Sequence, residues 1–195
     1  MSEHAAATSS RPVAHGLRLS TMAAVLVAVA IGVGAWFLVG RATSSSSGNG
    51  TAVSTNGPQA VTAAGLRDEA SRLGHDIYWL GPKAGFTYEL TVTKTGMAYV
   101  RYLPAGVKVG DKRPSFLTVG TYPTKNAYGT VAAARKLKGA QVQEVSANVI
   151  AATYASHPHS AYVAWRSKSL VVEIFDPKPL GAQTLARFGL ARPAR

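Results

Sequence analysis

The side chains able to do acid–base or metal chemistry are few and scattered. Beyond position 58 the acidic residues are Asp68, Glu69, Asp76, Glu89, Asp111, Glu144, Glu173 and Asp176. Glycoside chemistry needs two carboxylates at a fixed separation, and spacing singles out no pair. Several read as structural instead: Asp68 and Glu69 on a helix surface, Glu89 on the polar face of a strand, Asp176 as a helix cap. His157 and His159, with His75 or Asp76, offer metal-ligand atoms, but a site needs three or four that converge. A solvated turn at His157-Pro158-His159 is the expectation, with no metal and no cofactor. There is no cysteine, which removes a thiol nucleophile, thiolate zinc sites and disulfides. No Gly-x-Ser-x-Gly elbow, Ser-x-x-Lys pair, His-Glu-x-x-His run or phosphate-cradling glycine loop occurs. The residues therefore point away from an enzyme and supply no catalytic set.

Cations supply the sharper surface chemistry. The chain of 195 residues carries a net charge of +12. Lys108, Lys112, Arg113, Lys125, Arg135, Lys136 and Lys138 fall in two neighbouring segments and form a candidate anionic-surface patch. Such a patch suits anionic lipid or an anionic wall polymer. No nucleic-acid recognition motif is visible, so nucleic acid is not expected as a partner. The aromatic residues from Tyr78 to Trp165 read mainly as core with polar tips at the rim. A groove for a glycan or peptide is the alternative.

The elements that must position these residues begin at Gln59. Ala63, Leu66, Ala70 and Leu73 repeat at helical spacing, predicting a helix over Gln59–Leu73 with Gly74 as its stop. Ile77–Leu80 predicts a short strand. In Phe86–Thr93, Phe86, Tyr88, Leu90 and Val92 alternate with polar residues, which predicts a half-buried strand. Lys94-Thr95-Gly96 turns it back into Met97–Leu103. A loop over Pro104–Pro114, a strand over Ser115–Thr121 and a helix over Asn126–Lys138 follow. Strands are then expected at Gln141–Val145, Val149–Tyr154, Ala161–Arg166 and Leu170–Phe175. A last helix is expected from Asp176 and Pro177, with Leu180, Thr184 and Phe188 facing inward. The sum is α+β: a mainly antiparallel sheet of about seven or eight strands, with two or three helices covering one face.

A transmembrane helix is expected to precede this domain. Leu19–Gly40 holds no charged residue. At about 1.5 Å rise per residue it reaches the roughly 30 Å of a hydrocarbon core. Its length favours a retained anchor over a cleaved signal peptide, whose apolar core is about 7–15 residues. Residues 1–18 then form a cytoplasmic tail. Residues 41–58, rich in Ser, Thr and Gly, form a flexible linker, and residues 59–195 an extracytoplasmic domain. Ala24, Ala28 and Gly32 recur four apart, a spacing that allows helix-mediated self-association.

The runs IYWLGP, FTYELTVT, YVRYLP and FLTVGTYP, with the later AYVAW and LVVEIFDP, resemble those of single-span, membrane-anchored proteins of high-GC Gram-positive bacteria. The resemblance covers roughly Leu73–Arg187. It implies a shared exterior domain and carries over no activity, cofactor or site residue. The expected function is a membrane-anchored domain that binds or senses an envelope component. A structural subunit of a membrane complex and an envelope hydrolase are the alternatives.

Overall fold

A computed structural model describes residues 57–195. The tail 1–18, the apolar run 19–40 with its small-residue spacings, and nearly all of the linker lie outside the described residues. Eight strands form one antiparallel sheet: β1 (Gln59–Val61), β3 (Phe86–Val92), β4 (Ala98–Pro104), β5 (Thr118–Pro123), β6 (Ala140–Ser146), β7 (Val149–Tyr154), β8 (His157–Trp165) and β9 (Leu170–Phe175). Their order is β1-β3-β4-β5-β9-β8-β7-β6, so two meanders meet at the central β5–β9 pair. β2 (Tyr78–Trp79) and β10 (Arg192–Pro193) make a separate two-stranded ribbon. The helices are α1 (Ala63–Leu73), α2 (Ala127–Ala133), which runs on into a 3-10 turn at Ala134–Lys136, and α3 (Gly181–Arg187).

The helices cover both faces of the sheet, not one. Leu66 of α1, Ala182 and Ala186 of α3, and Tyr78 and Trp79 of the ribbon pack with Leu90, Val100, Val119, Val163, Val172 and Ile174. On the other face, Ala127, Val131 and Ala134 pack with Tyr99, Tyr122, Ile150, Tyr162 and Val171. Strand side chains alternate between faces. β4, β8 and β9 are apolar at successive positions, so one covering layer would leave half of them in water.

Local differences from the expected elements have physical causes. Gln59–Val61 pairs with Leu90–Tyr88 as an edge strand. The helix starts only after Thr62, whose hydroxyl accepts from the Gly65 N–H. β5 begins three residues later than Ser115, because Ser115–Leu117 still belongs to the loop that covers β3 and β4. His157-Pro158-His159 opens β8 rather than forming a turn. Pro158 is accommodated beside a register shift after Thr153, where a missing N–H breaks no ladder.

The last helix differs most. It starts at Gly181, preceded by Leu180 at φ +60°. The Asp176 carboxylate accepts from the Lys178 N–H at 2.8 Å and does not cap the helix. α3 buries Ala182 and Ala186 against the sheet, since small side chains allow close approach. The stripe expected inside therefore faces out: Leu180 is 63 % and Phe188 70 % exposed.

Glu89 is also not on a wet face. It pairs across the strands with Arg101, Nη1 to Oε1 at 2.6 Å, and is fully buried. The β4–β5 loop seals the pair: Gly110 N–H donates to Glu89, and Arg101 Nη2 donates to the Arg113 carbonyl. Phe116 lies under the Arg101 guanidinium at 4.9 Å. Removing one member of such a pair strands a buried charge. Arg101→Leu is expected to lose about 3–5 kcal/mol in chemical denaturation. The double variant Glu89→Leu/Arg101→Leu recovers most of it. Equal losses in both variants would contradict this account.

Candidate functional site

A concave site forms where the ribbon crosses the start of α1. A cavity of about 650 Å³ is lined by Ala63, Tyr78, Trp79, Pro82, Arg192, Pro193 and Arg195. Its floor is rigid. Tyr78 stacks on Trp165 with ring centroids 4.6 Å apart, and Trp79 meets Tyr88 edge-on at 5.4 Å. The Tyr78 N–H donates to Thr121 Oγ1, and the Leu80 N–H donates to the Tyr102 hydroxyl at 2.7 Å. That hydroxyl donates in turn to the Gly81 carbonyl. Gly81 adopts φ +82°, and the Arg192 guanidinium lies where a Cβ would stand. The backbone turn thus seats a cation beside the aromatic floor.

The electrostatics of the cleft are one-sided. Two arginines line it and no carboxylate side chain does. The nearest acid on its own segment, Asp76, is engaged by Lys168 at 2.8 Å. Burial pushes the Tyr78 phenol up to about 12, with Asp76 raising it further and Arg195 opposing. Tyr78 is therefore a neutral donor at ordinary pH. Aromatic faces beside guanidiniums can hold a flat or polyol ligand bearing phosphate or carboxylate.

A second cluster lies in the sheet itself. The Glu173 carboxylate is buried, and among the described residues no cation forms an ion pair with it. It accepts from Tyr122 and Tyr162 hydroxyls and from Ser160 Oγ at 2.8 Å. Tyr122 reaches it because Gly120, two residues earlier in β5, leaves room for its ring. Tyr99 packs edge-on against that ring at 5.7 Å. Desolvation raises the Glu173 carboxyl above its ordinary value, although the three hydroxyls oppose the shift. The same burial raises Tyr122 and Tyr162. The cluster is closed among buried side chains of the sheet, so it belongs to the core.

All seven cations of the candidate patch are exposed. Lys108, Lys112 and Arg113 lie in the β4–β5 loop, and Arg135, Lys136 and Lys138 follow α2. Both groups sit at the end of the sheet where β5 begins and β7 ends. Lys125 follows β5, so its six residues, about 20 Å of strand, separate it from the rest. Arg113 is engaged by Asp111 in a bidentate pair, and Arg135 approaches Glu144 at 3.4 Å. The pairing holds the Asp111 carboxyl well below the usual range, at about 2.

The histidines do not converge. Both ring nitrogens of His75 face carbonyl oxygens, of Asp76 and Gly96, at 3.0 Å. His159 contacts the Asp176 carbonyl and His157 the Ser156 hydroxyl. Among the described residues no three His, Asp or Glu side chains gather as a metal-ligand set.

Sequence reasoning singled out neither Arg192 nor Arg195, because the C-terminal segment reads as a basic end without periodicity. The signal was Gly81-Pro82 after an aromatic pair, a turn that leaves room for a close neighbour.

Glu173 gives a pH test. Its carboxyl is raised in the folded chain, so the stability it supports is complete below about pH 4.5 and is lost as pH rises through the folded value. Glu173→Gln keeps the shape and cannot ionise. The stability of the variant minus that of the parent, from urea titrations, is expected to grow above pH 4.5 and then level off. Each tenfold tightening of the carboxyl's hold on its proton adds about 1.4 kcal/mol to that gain. A difference independent of pH would show that folding does not shift the Glu173 carboxyl.

No family model, no curated protein and no solved structure matches this chain.

Proposed function

We propose that residues 59–195 are a non-catalytic recognition domain, held at the outer side of a cell membrane by Leu19–Gly40, that takes an anionic component of the envelope. The observation carrying this reading is the cleft: Tyr78 and Trp79 with two arginines and, among the described residues, no lining Asp or Glu side chain. Charge supports it. Removing Arg11, Arg18, Arg41 and Glu3 from the totals of 21 basic and 9 acidic residues leaves a net charge of +10 for the described residues. Cations in such excess raise the local concentration of an anionic polymer. The apolar run supplies the tether, and the linker, at roughly 5–6 Å × √n, gives the domain a reach of about 20–25 Å. The basic patch around Lys108, Lys112, Lys136 and Lys138 is a second landing place for a long polyanion.

Titration calorimetry of the full chain in detergent against a glycerol-phosphate polymer and a neutral glucan of equal length tests this. The polymer is expected to bind with a steep salt dependence, and the glucan not to bind. Arg192→Gln with Arg195→Gln is expected to weaken binding about tenfold or more, as two charge-assisted contacts are lost. Should Lys136→Gln with Lys138→Gln carry the whole loss, the ligand lies on the patch and the cleft is not its site. Equal binding of glucan and polymer would remove the anionic reading.

A further inference from the structure

The outer face of α3 carries apolar side chains that the fold leaves without cover. Thr184 and Arg187 lie on the outer side of α3, and Leu180 and Phe188 cap its two ends, joined to Thr184 by the backbone bonds Thr184 N–H to Leu180 carbonyl and Phe188 N–H to Thr184 carbonyl. All four are exposed, whereas Ala182 and Ala186 on the opposite arc are buried. Leu190, two residues beyond Phe188, is 47 % exposed. Among the described residues, the large hydrophobics that stand exposed are these three and Val109. Three of four thus fall within eleven residues of chain. Leu180 is held there at φ +60°, a backbone state that costs a non-glycine residue energy and places its side chain in water.

The charge around this strip has one sign. Residues 177–190, which are α3 and its flanks, hold Lys178 and Arg187 and no acid. The neighbouring Asp176 is half-buried and its carboxylate is occupied by the Lys178 N–H. Large apolar tips flanked by cations match the boundary of an anionic bilayer. There the tips enter the acyl edge and the cations meet headgroup phosphates. A protein partner would be expected to answer Thr184 and Arg187 with specific acceptors, and nothing in the strip has the concave shape such a contact uses.

We propose that the face formed by Leu180, Arg187, Phe188 and Leu190 docks onto the surface of an anionic lipid bilayer. It lays the domain down on the membrane that anchors the chain. This rests on the anchored reading of Leu19–Gly40 for its occupant but uses a different surface from the anionic cleft. Lys178 and Arg187 give the lipid preference, and Leu180 and Phe188 give the insertion. Docking is weak and reversible, because three side chains bury little area, and the tether offsets that by keeping the bilayer near.

The chain has no cysteine, so Thr184→Cys gives a single labelling site for an environment-sensitive fluorophore at the centre of the face. The labelled full chain is reconstituted into phosphatidylcholine vesicles and into equal-part phosphatidylglycerol/phosphatidylcholine vesicles. Flotation reads anchoring, and emission with aqueous iodide quenching reads docking. The expected result is flotation with both lipids, and a blue-shifted, quencher-protected label only on the anionic vesicles. Leu180→Ser with Phe188→Ser is expected to return the label to water without loss of thermal stability, both positions being exposed. Lys178→Gln with Arg187→Gln is expected to lower the docked-to-free ratio about 30-fold. A label that stays aqueous on anionic vesicles overturns the proposal, as does one equally protected in detergent without lipid, which marks contact with a protein or a second copy. Failure to float with phosphatidylcholine, with the label still protected on anionic vesicles, overturns the anchor alone and leaves this docking face standing.

Discussion

The structure depends on one constraint: a central antiparallel sheet that is apolar on both faces must be covered on both. β4 and β9 carry buried residues at almost every position, and β8 does from Ser160 to Ala164. The helices available are short, with eleven residues in α1 and seven each in α2 and α3. They cannot cover eight strands. The rest is closed by parts that are not regular helices: the β4–β5 loop over Glu89 and Arg101 on one face, and the β2–β10 ribbon on the other. The cleft arises where this improvised cover is incomplete, between the ribbon and the start of α1.

Burying polar groups in such a sheet demands internal partners. Two solutions stand on the same face. The Glu89–Arg101 pair is neutralised by charge and sealed by backbone groups of the loop. The Glu173 cluster has no ion-pair partner among the described residues and is met by three hydroxyls, and burial leaves its carboxyl raised. One site is destabilised by loss of either partner; in the other the carboxyl is raised by burial. Both fix register across the strands, Glu89 against Arg101 and Glu173 against Gly120, where a slip of one residue would turn charges toward apolar side chains.

The short helices also explain the odd surface. A seven-residue helix that meets the sheet through Ala182, Leu185 and Ala186 leaves the large residues that cap its two ends, Leu180 and Phe188, outside. Leu180 and Phe188 are on that side because the close approach of Ala182 and Ala186 fixes the rotation of α3. The apolar strip and the cation-lined cleft are two consequences of economical cover, at neighbouring places in the C-terminal segment.

Much of the sheet was legible in the chain. The alternation of Phe86–Val92, the Lys94-Thr95-Gly96 turn and the hairpin around Ser167-Lys168-Ser169 determine antiparallel neighbours from local chemistry alone. The stop at Gly74 is likewise local, and it appears in the structure. The sequence alone also carries the charge excess, the missing cysteine and the uncharged run Leu19–Gly40. What only the tertiary structure decided was everything that depends on which segments meet. Periodicity says that a stripe shares a side and not which side is inside, so Leu180, Thr184 and Phe188 were placed inward and stand outward. Alternation says that Glu89 and Glu173 oppose apolar neighbours. It does not say that a loop and α2 will cover that face too. Arg192 and Arg195 join Tyr78 and Trp79 only because the chain's last strand returns to its second, a pairing over more than a hundred residues that no local pattern encodes.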